Sequence, residues 1–178
     1  PLDLCYDNRS SIKQQLIDLI RQKGGKTNIE LEEGTLHERY KKVYQKGTPL
    51  VCACEKGRVE DVEGMIRGAR AAGMDVTAMV SELGTNSYGD CGYTPLMEAA
   101  YYEHSTIIEI LLQCNASPAT TNKYGDNALH WAACKNKTTT TIVQLLLNNM
   151  KLEDINRQAT SGYYSTPFDC CYENYRRG

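Results

Sequence analysis

The sequence predicts an all-α solenoid, a stack of paired antiparallel helices joined by β-turn or hairpin loops. Two observations carry that prediction. A short motif recurs four times along 178 residues. After the second and third copies comes a strongly apolar run of helix length, Ile107 to Leu112 and Ile142 to Leu147. Such runs are too apolar to stand exposed, so each must be covered by neighbouring units of the same kind.

The motif reads Thr48-Pro49-Leu50-Val51-Cys52-Ala53-Cys54, then Thr94-Pro95-Leu96-Met97-Glu98-Ala99-Ala100, then Asn127-Ala128-Leu129-His130-Trp131-Ala132-Ala133, then Thr166-Pro167-Phe168-Asp169-Cys170-Cys171. The spacings are 46, 33 and 39 residues, a base period of 33 with insertions of 13 and 6. Thr or Asn suits a helix N-cap. Pro fits the first turn, where a missing N–H is not needed. Gly92 and Gly125, each two residues before the cap, read as turn glycines with positive φ. The small residues that follow let helices approach closely. The 13-residue insertion in the first unit, near 68–83, carries Val76, Met79, Val80 and Leu83 at the spacing of one helical face, which predicts a short extra helix. Four consecutive threonines, Thr138 to Thr141, start a helix poorly, so the third unit's second helix is placed from about Thr141.

These residues resemble the ankyrin repeat, whose unit is a β-turn followed by two antiparallel helices and whose signature is T-P-L-H-x-A. The third copy keeps His130, Cys114-Asn115-Ala116-Ser117 is similar to the G-A-D close with Asn for Gly, and Asp154-Ile155-Asn156 is similar to the opening D-V-N. The resemblance organises the chain as a partial or terminal unit (1–30), a charged linker or capping helix (31–46), and an array (47–178) with units near 47–91, 92–124, 125–161 and a truncated 162–178. Pro1 to Asn8 repeats Pro167 to Asn174 at an offset of 166 residues, so both ends read as half-repeats of a longer or tandem protein.

Composition excludes several function classes. A net charge of −2 gives no basic stripe for nucleic acid. The apolar stretches are too short to cross a bilayer, and no signal segment stands at the N-terminus. Cys54 and Cys171 stand at alanine positions and read as core, and neither Cys52-Ala53-Cys54 nor Cys170-Cys171 has zinc spacing. Cys91, Cys114 and Cys134 stand at turn or loop positions and read as exposed, without an evident basic neighbour. The eight cysteines therefore point to a reducing cytoplasmic or nuclear setting rather than a disulfide framework. Gly24-Gly25-Lys26-Thr27 lacks the upstream glycine and strand of a phosphate loop, and reads as a helix end. Of the three histidines, His104 and His130 fall where the resemblance implies hydrogen bonds between turns and helices, and His37 lies in the charged linker. The chain is read as non-enzymatic, with no metal and no cofactor.

What the resemblance implies is a protein-binding scaffold or adaptor that works through its turn tips and the concave face of its first helices. Carried over by register, this places Asp90, Cys91 and Tyr93 on one tip, Lys123, Tyr124 and Asp126 on the next, and Tyr163 and Tyr164 on the last. Tyr101, Tyr102, Cys134 and Lys135 end the first helices, and Trp131 reads as mostly core. Twelve tyrosines against one Trp and one Phe suit a half-wet surface. Alternative readings are a regulatory array docking in cis within a larger enzyme or channel, and head-to-tail self-assembly through the half-repeats.

Overall fold

A computed structural model describes residues 47–135, 139–160 and 166–177. The partial unit expected over 1–30, the linker over 31–46, and Tyr163 and Tyr164 lie outside the described residues. Helices α1 (Pro49–Glu55) and α2 (Val59–Ala71) form the first pair, and α3 (Val76–Ser81) follows in the insertion. Strands β1 (Gly84–Thr85) and β2 (Cys91–Tyr93) precede α4 (Pro95–Tyr101) and α5 (Ser105–Gln113). The next pair is α6 (Ala128–Ala133) and α7 (Thr140–Leu147). A single turn, α8 (Leu152–Ile155), leads to α9 (Pro167–Arg177). No helix among the described residues is long and apolar enough to cross a membrane.

The architecture has two layers. Helices α1, α4, α6 and α9 pack side by side in chain order as an inner layer, and α2, α5 and α7 do the same outside. Ala53, Ala99, Ala100 and Ala132 are fully buried between them, and their small side chains set the close spacing. Leu96, Met97, Ile107, Ile108, Leu111, Ile142 and Leu146 fill one continuous core between the layers. Each such side chain contributes about 1.5–3 kcal/mol relative to exposure, and none could be covered within its own unit. The all-α solenoid expected from the periodicity is the fold observed.

Capping follows the sequence with one exception. Thr94 Oγ1 accepts from the Met97 N–H at 3.1 Å, Asn127 Oδ1 accepts from the Leu129 and His130 N–H groups at 3.1 and 3.2 Å, and Thr166 Oγ1 accepts from the Asp169 N–H at 3.2 Å. Thr48 instead turns to the next unit: its hydroxyl accepts from the Thr85 N–H at 3.0 Å while its own N–H donates to the Thr85 carbonyl at 2.8 Å. A β-carbon on Gly84 would stand 2.6 Å from that hydroxyl, so the contact needs glycine there.

The expected insertion helix exists. Asp75 caps it through the Ala78 N–H at 3.1 Å, and Val80 is fully buried against α2 and α4. Leu83, expected on the same face, is exposed because the chain turns extended at Glu82. The third unit's second helix starts at Thr140, beside the expected Thr141. Two cysteines depart from expectation. Cys114 is buried at the end of α5, with the Arg70 guanidinium 3.3 Å from its sulfur; that neighbour is 44 residues away in sequence. Cys171 is exposed and Cys170 is the buried one, because no second helix packs over α9 among the described residues.

Between the helices of the first two pairs the chain passes through left-handed backbone. Gly57 has φ +66° and the non-glycine Glu103 has φ +64°; Asn115, standing where the repeat favours glycine, has φ +62°. His104 follows Glu103, and its Nε2 donates to the Glu55 carbonyl at 3.1 Å, lying directly against Gly57. A β-carbon on Gly57 would meet the imidazole at 2.6 Å. Gly57→Ala is therefore expected to cost about 2 kcal/mol, read as a fall in Tm of roughly 4–8 °C. Glu103→Gly should do the reverse. It relieves the left-handed strain and removes a buried carboxyl oxygen that has no hydrogen-bond partner among the described residues, and urea unfolding should show a gain of about 1 kcal/mol.

Candidate functional site

Two turn tips repeat one construction. In Asn86-Ser87-Tyr88-Gly89-Asp90, the buried Asn86 Oδ1 accepts from the Tyr88 and Asp90 N–H groups at 3.1 and 3.0 Å. In Asn122-Lys123-Tyr124-Gly125-Asp126, Asn122 Oδ1 accepts from the Tyr124 and Asp126 N–H groups at 2.8 and 3.0 Å. The glycines have φ +94° and +85°, closing each turn in left-handed backbone. Gly92 has the expected positive φ, +95°, but the tip glycine equivalent to Gly125 is Gly89. Cys91-Gly92-Tyr93 are three further residues that form β2 and carry the chain back to α4.

Both tips are held by a neighbouring unit. Ser87 donates from its N–H to Glu55 Oε2 at 2.8 Å and from its hydroxyl to Oε1. The Tyr124 carbonyl accepts from the Thr160 N–H at 2.7 Å and its hydroxyl at 2.9 Å. Tyr88 is 76% exposed and Tyr124 42% exposed on these braced turns.

The inner helices present a second surface, built as rungs. The residue seven after one cap meets the residue four after the next. The first rung is the carboxylate pair Glu55 and Glu98. The second is Tyr101 against Trp131, ring centroids 5.3 Å apart and 77° inclined. The third is Cys134 and Cys170, whose thiols share a hydrogen bond that lowers the pKa of Cys134 and raises that of Cys170. Tyr93 extends the aromatic rung by packing edge-on to Trp131 at 5.1 Å, and Tyr102 does so against Tyr101 at 5.0 Å before stacking on His104 at 6.3 Å. The Lys135 ammonium sits 4.0 Å from the centre of the Tyr101 ring.

The residues expected at a partner surface fall into two groups. Tyr93, Tyr101, Tyr102 and Lys135 converge, half-buried, on the aromatic rung. Lys123 and Tyr124 share the second tip, with the Lys123 ammonium 4.8 Å from the Tyr124 ring centre. Asp90 and Cys91 are exposed beside the first tip, whereas Asp126 is half-buried and takes the Asn122 amide at 3.1 Å, so it serves its own turn. Tyr163 and Tyr164 lie outside the described residues. Sequence reasoning missed Tyr88, Glu55 and Glu98; Trp131, read as mostly core, is packed against the core and also carries Tyr93 and Tyr101 on its ring. The pentapeptide Asn-x-Tyr-Gly-Asp, present at both tips, was the signal for Tyr88.

Electrostatics single out the acidic rung. Glu98 is 5% exposed, and burial pushes its carboxyl up to about 7; the charges of Glu55 and Asp90 add to the rise, and the Asn86 amide at 3.4 Å offsets part of it. Tyr102 is pushed up to about 12, first by burial and then by the charge of Glu98. A carboxyl raised on folding stabilises the fold while protonated. Its contribution is complete below about pH 4.5 and is lost as pH rises through about 7. The stability of Glu98→Gln minus that of the unsubstituted chain should therefore grow between those values, reaching roughly 3 kcal/mol at most. Urea unfolding across pH measures it; a difference independent of pH would contradict the assignment.

Residues 71–159, half of the chain, match the family model described as ankyrin repeats (3 copies). The chain is also similar to the putative ankyrin repeat protein YahD of Escherichia coli strain K12, 31% identical over 91 residues. That match takes in 48% of this chain and 39% of the relative's length. The repeat period, the paired helices, the capped turns and this match agree: the chain belongs to the ankyrin-repeat family.

Proposed function

We propose that this chain is a protein-recognition module whose partner lies across the turn tips and along the inner face. Ankyrin repeats generally serve protein–protein interaction, which supports the class. The observation that carries the finer reading is the pair of tyrosines on identically braced turns. Each is exposed, yet the backbone beneath it is fixed by a buried asparagine and by a neighbouring unit. A ring held out on rigid backbone loses little entropy when a partner covers it, and tyrosine is enriched among residues that dominate interface energies. The inner aromatic rung adds Tyr93, Tyr101, Tyr102 and Trp131 beside them.

The test is quantitative capture from source-cell lysate with two variants checked for equal folding by circular dichroism. Tyr88→Ser with Tyr124→Ser removes both tips without touching the core, and Tyr101→Leu alters the inner rung. Loss of a captured partner by about tenfold or more with either variant supports the reading. A partner retained at full strength by both puts the interface elsewhere, and capture of nothing overturns the recognition role itself.

A further inference from the structure

The third rung brings sulfur from two units together. Cys134 ends α6, seven residues after the cap Asn127, and Cys170 stands in α9, four residues after the cap Thr166. That register sets side chains against each other: in the preceding rung the same two positions hold Tyr101 and Trp131, ring centroids 5.3 Å apart. Helices α6 and α9 pack directly on one another, and the two thiols share a hydrogen bond. Both cysteines are free, and Cys171 beside them is free and exposed. No group of three or more His, Cys, Asp or Glu among the described residues could hold a metal ion, so the chemistry this cluster offers is that of sulfur itself.

The two sulfurs are unequally placed. Cys170 is 1% exposed, whereas Cys134 is only half-buried and keeps part of its surface in water. The Cys170 thiol donates to the Cys134 sulfur, which lowers the pKa of Cys134 against the opposing effects of burial and of the Asp126 charge. The thiolate is the nucleophile in thiol oxidation. Cys134 is therefore the sulfur that meets an oxidant first, and Cys170 is the thiol held against it. A sulfenic acid condenses with such a neighbouring thiol to a disulfide. Cys52 and Cys54 differ, since both are buried in α1 and burial pushes both thiols up.

We propose that Cys134 and Cys170 form an oxidation site for peroxides, whose product is a disulfide joining the inner helices of the third and fourth units. The Cys134 thiolate attacks one oxygen of hydrogen peroxide and the O–O bond breaks. The hydroxide released takes up the proton that Cys134 lost and leaves as water, and Cys134 becomes a sulfenic acid. The Cys170 sulfur then attacks the Cys134 sulfur, the S–O bond breaks, and the Cys170 proton leaves with that oxygen as a second water. The two sulfurs together lose two electrons, and the peroxide takes both. Among the described residues α9 packs chiefly on α6, so the bond makes covalent a junction otherwise held by packing. Disulfides in reducing compartments are usually transient and redox-sensing, and a thiol reductant reverses this one. The site is independent of the recognition reading above.

The test treats the folded full chain with dilute hydrogen peroxide, blocks the remaining thiols by alkylation, and maps tryptic fragments by mass spectrometry without reduction. Cys134 lies in the fragment 124–135, and Cys170 and Cys171 in the fragment 158–176. The expected result is that these two fragments are joined, with two fewer of the eight thiols alkylated, and that dithiothreitol separates them again. The join should persist in Cys171→Ser and vanish in Cys134→Ser and Cys170→Ala. Cys171 is exposed, so Cys171→Ser leaves the core intact and decides the pairing even if Cys170→Ala does not fold. Because the fold holds the sulfurs together, joining should also run about tenfold or more faster in the folded chain than in urea. Equal rates in the two conditions overturn the proposal. So does a join lost in Cys171→Ser, which makes Cys171 the partner, or conversion of Cys134 to sulfinic acid with the fragments still separate.

Discussion

Everything in this molecule depends on the inability of one helix pair to bury its own apolar surface. Ile107, Ile108 and Leu111 on α5 are covered only because α4, α2 and α7 lie around them. Close stacking of the inner helices is the physical solution, and it requires the alanines: a larger residue at Ala99 or Ala132 would force α1, α4 and α6 apart. Polar bonds between units then fix how neighbouring pairs are set against each other. Thr48 bonds the backbone of Thr85, His104 bonds the Glu55 carbonyl, and the Asn127 amide donates to the Asp154 carbonyl at 2.9 Å. Packing supplies the energy, and these directional contacts supply the register.

Register is what turns a stack into a face. Because each inner helix is displaced from the last by the same amount, the end of one always meets the middle of the next. The chemistry at each junction is then set by just two side chains. Along the inner surface the junctions run from a carboxylate pair, through an aromatic pair, to a thiol pair. The buried Glu98 is destabilising while charged, and it is a local inconsistency inside an otherwise apolar helix.

Much of the fold was legible in the sequence. The cap-Pro-Leu motif with its apolar companion runs located the second and third helix pairs to within about two residues, because cap chemistry and helical periodicity are local; the second helix of the first pair had no such run. What escaped was decided by distance in space. Gly92, two residues before a cap as Gly125 is, has the positive φ expected of it, +95°, but three extra residues form β2, so the tip glycine equivalent to Gly125 is Gly89. Tyr88 was lost with that shift. Glu98 stands at a helix position that one sequence cannot tell from core; only the stacking offset brings the charge of Glu55 to act on it. Cys114 owes its burial, and Arg70 its place beside it, to packing between α2 and α5. The motif put Cys171 at an alanine position and so in the core, but no second helix covers it among the described residues and it is exposed.

The central claim is that stacking between units, rather than any unit alone, holds the inner face in register. Native-state hydrogen exchange of backbone amides in α4, α5, α6 and α7 tests it most directly. Coupled units predict that the slowest amides of all four helices share one opening free energy, and that Gly57→Ala, made at the junction of the first two units, lowers it for α6 and α7 as well as for α4 and α5. Separate opening free energies for the two helix pairs, with the substitution felt only next to His104, would contradict it.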